Sequence, residues 1–173
     1  MEKKILVTFA SKYGSTGEIA QKIGEELIRE GYMTDVLPVK EVESPGDHRA
    51  MVLGSALYMG RLRKEAVRFL RMNQEVLSGM PVWLFYSGPT GEGDPEELLK
   101  DWRLSGRVQK VVDLIRPRDS KIFHGALKSE KISSFEKWIL KRVKAEIGDF
   151  RDWEAITNWT RKIAAELKEK PAV

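Results

Sequence analysis

The feature that most limits how this chain can fold is an alternation of two periodicities. Short continuous apolar runs at 5–9 (ILVTF), 50–54 (AMVLG) and 82–86 (VWLFY) take turns with longer stretches of helical spacing. Runs of that kind suit strands buried on both faces of a parallel sheet. Ile19, Ala20, Ile23, Leu27 and Ile28 mark a helix across 16–30, which Gly31 ends. Residues 34–39 (TDVLPV) read as a second strand, peripheral because Pro38 cannot donate to a ladder. Leu62, Ala66, Phe69, Leu70 and Leu77 mark a second helix. A third, at 108–115, stops before Pro117. A fifth strand is expected at 121–125 (KIFHG), and closing helices near 133–147 and 152–168. Strand–helix alternation predicts an α/β class with a five-stranded parallel sheet, and right-handed crossovers put helices on both faces. A length of 173 residues suits one domain, 1–173.

In such a sheet, ligands bind beyond the carboxyl ends of the strands. The first strand-end loop offers Ser11, Ser15 and Thr16 at the start of a helix, where unpaired N–H groups and the positive dipole end favour an anion. It reads as a cradle for a phosphate monoester or as an ordinary Ser/Thr cap. It is neither GxxxxGK[ST] nor GxGxxG. The second loop, 55–60 (SALYMG), is unusually apolar: Tyr58 could stack on a planar ring with Leu57 and Met59 along an edge, or simply cap the core. The third, 87–94 (SGPTGEGD), has Gly88, Gly91 and Gly93, which let backbone groups approach a flat ligand or make a mobile turn. Taken together, the loops describe a site for an aromatic mononucleotide.

Composition narrows the chemistry. There is no Cys and only two His, which excludes disulfides, thiol nucleophiles and Cys-ligated zinc or iron–sulfur clusters. No metal site is expected, and redox work would fall to an organic cofactor. His124 sits in a strand pattern and is expected to be structural; His48 is expected to be a solvated loop residue. No side-chain acid–base pair is evident.

The segments KILVTFASKYGSTGEIA, MVLGSALYMGRLRKEAVRFL, KIFHGALK and GDFRDWEAITNWTRKIA resemble flavodoxin-like FMN proteins. The resemblance is strongest to the flavodoxin-type, menaquinone-dependent protoporphyrinogen oxidases of bacteria. It implies a three-layer sandwich with strand order 2-1-3-4-5 and an FMN cofactor. It puts Ser11, Lys12, Tyr13, Gly14, Ser15 and Thr16 around the phosphate. Ala56, Leu57, Tyr58, Met59 and Gly60 then fall on one side of the isoalloxazine, and Ser87, Gly88, Pro89, Thr90 and Gly91 on the other. The chemistry would lie on the flavin, with no catalytic side chain. The implied activity is oxidation of protoporphyrinogen IX with a quinone as acceptor. The alternative is a soluble flavodoxin-type electron carrier between protein partners.

Relative to a minimal flavodoxin, the chain adds a basic helical segment at 126–151. It carries seven basic residues against four acidic, and an apolar stripe of Phe135, Trp138, Ile139, Val143 and Ile147 that is expected to pack on the domain. Residues 61–71 carry five basic residues against one acidic. The whole chain is only +4, so the charge is concentrated. Such a rim would attract a carboxylate-bearing substrate, an acidic redox partner or an anionic membrane surface. Nucleic acid is not expected, since no binding motif is found. The start of the chain lacks the apolar core of a signal peptide, and no run approaches a membrane span. A cytoplasmic protein is expected, with peripheral contact at the inner membrane face and the oligomeric state left open.

Overall fold

In the computed structural model, which describes residues 3–142 and 145–169, every strand of the central sheet sends alternate residues to opposite faces. The elements in chain order are β1 (Ile5–Ala10), α1 (Ser15–Arg29), β2 (Thr34–Pro38), β3 (Ala50–Tyr58), β4 (Arg61–Leu62), α2 (Lys64–Met72), α3 (Gln74–Ser78), β5 (Val82–Ser87), α4 (Pro95–Leu98), α5 (Gly106–Ile115), β6 (Asp119–Phe123), β7 (Ala126–Leu127), α6 (Ser134–Arg142), β8 (Gly148–Asp149) and α7 (Trp153–Glu169). The sheet runs β2-β1-β3-β5-β6, all parallel. This is the expected 2-1-3-4-5 order once the two-residue β4 takes a number.

Ile5, Val7, Ala50, Val52, Trp83 and Phe85 point to one face and pack on α1 and α7 through Ile19, Ile23, Leu27, Ile156 and Ile163. Leu6, Met51, Leu53, Val82 and Leu84 point to the other, against Ala66, Phe69, Leu70, Leu77, Val112 and Ile115. This double burial is why the strands read as unbroken apolar runs. The edge position of β2 follows from Pro38, which sits opposite Phe9 in the ladder with β1 alone.

Several boundaries differ from the sequence reading, each for a local reason. β3 continues to Tyr58, then turns back through Met59 (φ 50°) and Gly60 (φ 71°) so that β4 pairs Leu57 with Leu62 and Tyr58 with Arg61. Two successive positive φ values are the geometry of a tight hairpin. The apolar "second loop" is therefore a strand extension. The expected single helix through Leu77 breaks at Asn73, whose side-chain amide donates to the Phe69 carbonyl (2.9 Å). β6 starts at Asp119 rather than 121, because Arg118 N–H donates to Val82 O (2.7 Å) and sets the register with β5. As an edge strand, β6 needs no apolar start. The helix expected across 133–147 covers only Ser134–Arg142; Val143 and Lys144 lie outside the described residues.

The sheet leaves no room for a side chain at Gly54. A methyl group there would lie 2.0 Å from Phe85 Cζ. That ring cannot retreat, since it packs against Phe123 (6.0 Å between centroids) and Trp159 (6.3 Å). Gly54→Ala should therefore cost about 1–3 kcal/mol, the range for overpacking a closed core. Urea unfolding measures it, and an unchanged midpoint would contradict this packing.

Candidate functional site

The carboxyl ends of β1, β3 and β5 open into a cavity of about 590 Å³, within the range of small-molecule sites. Of the residues proposed from sequence, Ser11, Lys12, Tyr13 and Ser15 line one wall, Ala56, Leu57, Tyr58, Met59 and Gly60 a second, and Ser87, Gly88, Pro89 and Thr90 a third. Gly14, Thr16 and Gly91 do not line it.

Each of those three has a visible place. Gly14 is the N-cap of α1, with φ 96° and no side-chain cap bond. Its N–H donates to Ser11 Oγ (2.8 Å), which folds the loop over the helix start. Thr16 is fully buried, and its hydroxyl shares a 2.7 Å hydrogen bond with Ser87. It ties the first loop to the third rather than facing the cavity. Gly91 lies under Glu146, whose Oε1 would be 3.3 Å from an added Cβ.

Gly88, besides lining the cavity, makes a close contact within the protein. A methyl group there would meet Leu57 Cβ at 2.7 Å, and one on Gly125 would meet Gly88 Cα at 3.3 Å. The close approach is between protein backbones and fixes the cavity floor. His124 is structural, as expected. It is buried, with Nδ1 3.0 Å from Pro89 O and Nε2 2.7 Å from Gly93 O, and whichever nitrogen carries the proton donates to one of them. This pins the third loop at both ends. His48 is half-buried and meets Asp35 Oδ2 at 3.2 Å, so it is not the solvated loop residue expected.

The added segment forms the roof, which the sequence reading missed. Its ends are zipped together, Ala126 opposite Asp149 and Leu127 opposite Gly148. Ala126, Leu127, Leu140 and Ala145 line the cavity, as do Leu98 and Leu99 from the other side. Several contacts hold the roof down. Glu146 N–H donates to Thr90 Oγ1 (3.0 Å), and Arg151 bridges Glu18 of α1 (2.5 Å) and Asp149 (2.6 Å). Glu136 Oε1 accepts from Lys12 Nζ (2.6 Å) and from the Tyr13 hydroxyl (2.9 Å).

Glu136 is positioned by a capping box: Ser133 Oγ accepts from Glu136 N–H (3.2 Å), and Ser133 N–H donates to Glu136 Oε2 (3.1 Å). The inward face of α6 is thus Glu136 and Leu140, one turn apart. Phe135 and Trp138 point outward, 69% and 53% exposed. The expected packing of that stripe on the domain is corrected accordingly: the contact with Lys12 and Tyr13 selects the other face. A serine followed three residues later by glutamate was the sequence signal for this orientation.

Lys12 is also held over the Tyr58 ring (3.6 Å). Burial disfavours its charged form, yet the contacts with Glu136, Tyr58 and Tyr13 outweigh that and raise its pKa. The Lys12 bond, with help from Ser133 and Tyr13, pulls Glu136 down from 4.5 to about 2.

These features fit a flat mononucleotide. An uncapped helix start flanked by Ser11 and Ser15 suits a phosphate, and the aromatic and backbone walls suit a ring.

The sign of the Glu136 shift sets the pH window. A carboxylate depressed in the folded state contributes stability above 4.5, which is lost as pH falls toward 2. The roof should therefore open only in that acid range. Glu136→Gln removes the charge at any pH, so trypsin near neutrality should cut after Lys137 or Lys141 faster than in the wild type. Equal cleavage rates would contradict the tie.

Comparison with known proteins agrees with this fold. Over 181 aligned residues the chain is 25% identical to the protoporphyrinogen IX dehydrogenase [quinone] of Escherichia coli strain K12, covering 98% of this chain and 99% of that one. Its fold is similar to a flavodoxin from Pseudomonas aeruginosa (TM-score 0.58, 16% identity, 95% and 99% of the two chains). It is also similar to part of the rubredoxin oxygen:oxidoreductase of Desulfovibrio gigas (TM-score 0.63, 14% identity, 98% of this chain and 37% of that one). A family model described as a flavodoxin domain matches residues 6–154, and the chain belongs to that family.

Proposed function

We propose that the cavity binds FMN and that the protein is an oxidoreductase acting on protoporphyrinogen IX, with a quinone as electron acceptor. The observation that carries this reading is the convergence in one cavity of a hydroxyl-bearing helix start, an aromatic hairpin and a backbone-rich loop. Ser11, Ser15 and the first-turn N–H groups of α1 would hold the phosphate. Tyr58 and Leu57 would flank the ring on one side and 88–90 on the other. When bound, the flavin supplies the hydride and electron chemistry. The chain's own residues bind and orient it, and Leu99, Leu127 and Leu140 keep water from its surroundings.

Similarity over nearly the full length to a dehydrogenase supports the enzyme over the carrier. So does the roof, because a covered cavity suits a small substrate better than direct contact between proteins. A quinone acceptor is a lipid-phase molecule, and α6 offers a contact for its membrane. Phe135 and Trp138 stack on each other (6.1 Å), Arg142 lies 4.3 Å over Trp138, and Lys137 and Lys141 are exposed beside them. Apolar rings among cations suit an anionic bilayer surface, which supports a cytoplasmic protein bound peripherally at the inner face. No helix among the described residues is long and apolar enough to cross a membrane.

Titration with FMN and with riboflavin tests the cofactor assignment. Ser15→Ala should weaken FMN by roughly 1–3 kcal/mol, the scale of a hydrogen bond to a charged group, and leave riboflavin nearly unchanged; equal losses would reject the phosphate role. The activity is tested anaerobically with protoporphyrinogen and a quinone. Quinone reduction that depends on both porphyrinogen and FMN supports the enzyme, and none supports the carrier. Replacing Phe135 and Trp138 by Ser should reduce co-sedimentation with anionic phospholipid vesicles, and unchanged binding would contradict the membrane contact.

A further inference from the structure

A second concavity of about 710 Å³ lies beside the cavity just described, between α2 and the start of α5. Its rim holds Arg61, Lys64, Arg68 and Arg71 on one side and Arg103 and Arg107 on the other, and no Asp or Glu lines it. Its floor is apolar, with Leu62, Trp102 and Leu104. Among the described residues none of the six cations forms an ion pair with a carboxylate. The nearby Glu65 is taken by Arg63 (3.2 Å). Arg103 donates only to the carbonyls of Lys100 and Trp102, and Arg68 Nε to Met72 Sδ.

This arrangement runs against the electrostatics of the fold. The first turn of α5 holds Arg107 and no acid, so a cation sits at the positive end of a helix dipole. Six like charges crowd one groove that no carboxylate lines, and such crowding is relieved by a bound anion. Local rules are broken in this way most often at functional sites.

The groove also communicates with the first cavity. Gly60 lines both. Trp102 stands at the junction, donating from Nε1 to Gly60 O (2.7 Å) while its ring meets Tyr86 edge-on (5.3 Å). A ligand anchored by the arginines could lay an apolar ring over Trp102 and Gly60 and reach the flavin cavity. A concave site of this size with an apolar floor suits a small amphipathic anion better than the convex face of an acidic protein.

We propose that the groove is a carboxylate-binding subsite. Its cations hold the acid groups of a flat, otherwise apolar electron donor while the ring system extends past Gly60 toward the flavin cavity. This rests on the porphyrinogen reading above, whose substrate carries carboxylates on an apolar macrocycle.

The test uses FMN-loaded protein, with protoporphyrin IX and its dimethyl ester as probes in fluorescence titrations. The comparison is between wild type, the double variant Arg68→Gln/Arg107→Gln, and Lys162→Gln on α7 as a control. The free acid should bind the double variant at least about tenfold more weakly, the loss expected when charge-assisted contacts are removed. It should bind the control as it binds wild type. The ester should bind wild type and double variant equally, and FMN affinity should not change. Equal binding of the free acid by wild type and double variant would overturn the subsite, as would an equal loss for acid and ester. The two proposals fail separately. Porphyrinogen oxidation with the same KM in the double variant would retain the enzyme and reject the subsite. Charge-dependent binding without any oxidation would retain the subsite and reject the enzyme.

Discussion

A parallel sheet buried on both faces leaves few places where a polar, concave surface can form. Here helices cover Ile5, Val7 and Phe85 on one side and Leu6, Leu53 and Leu84 on the other. The carboxyl edge is where β1, β3 and β5 release their loops together, and the register that aligns Ala10 with Ser55 and Ala56 with Ser87 brings those loops to one level. The backbone contact of Gly88 with Leu57 and Gly125 then sets how closely they approach. Everything proposed about cofactor and substrate depends on that edge.

The segment between β7 and β8 converts an open edge into a covered one. It leaves and returns at neighbouring points, so it adds a roof without disturbing the sheet. One of its ties is the carboxylate of Glu136, which binds Lys12 and Tyr13 from above the first loop. The same choice of helix face leaves Phe135 and Trp138 in solvent. Closure of the cavity and exposure of an aromatic, basic surface are therefore two results of one packing decision. The arginine groove adjoins the cavity, joined through Gly60 and Trp102.

What could be read from sequence was what depends on local periodicity. The apolar runs fixed strands and faces, and hydroxyls and glycines at strand ends pointed to the residues that converge on the cavity. What escaped depends on long-range pairing. Nothing local told that β3 would run on to Tyr58, since its extension is decided by β4 folding back. The start of β6 is set by bonding to Val82, not by its own apolarity. Nothing in sequence places Ser87 beside Thr16, so the bond that ties the first loop to the third is not legible there. The apolar spacing of α6 does not decide which face turns inward; the capping box at Ser133 and Glu136 does.

The central claim is that the three loops and the roof enclose one flavin-binding cavity. Hydrogen–deuterium exchange with and without FMN tests it most directly. The account predicts that FMN slows exchange of backbone amides in 11–17, 57–60 and 87–91, and equally in the roof at 126–127 and 145–149. Protection confined to the three loops would contradict the roof's part in the site, and protection absent from all of them would contradict the site itself.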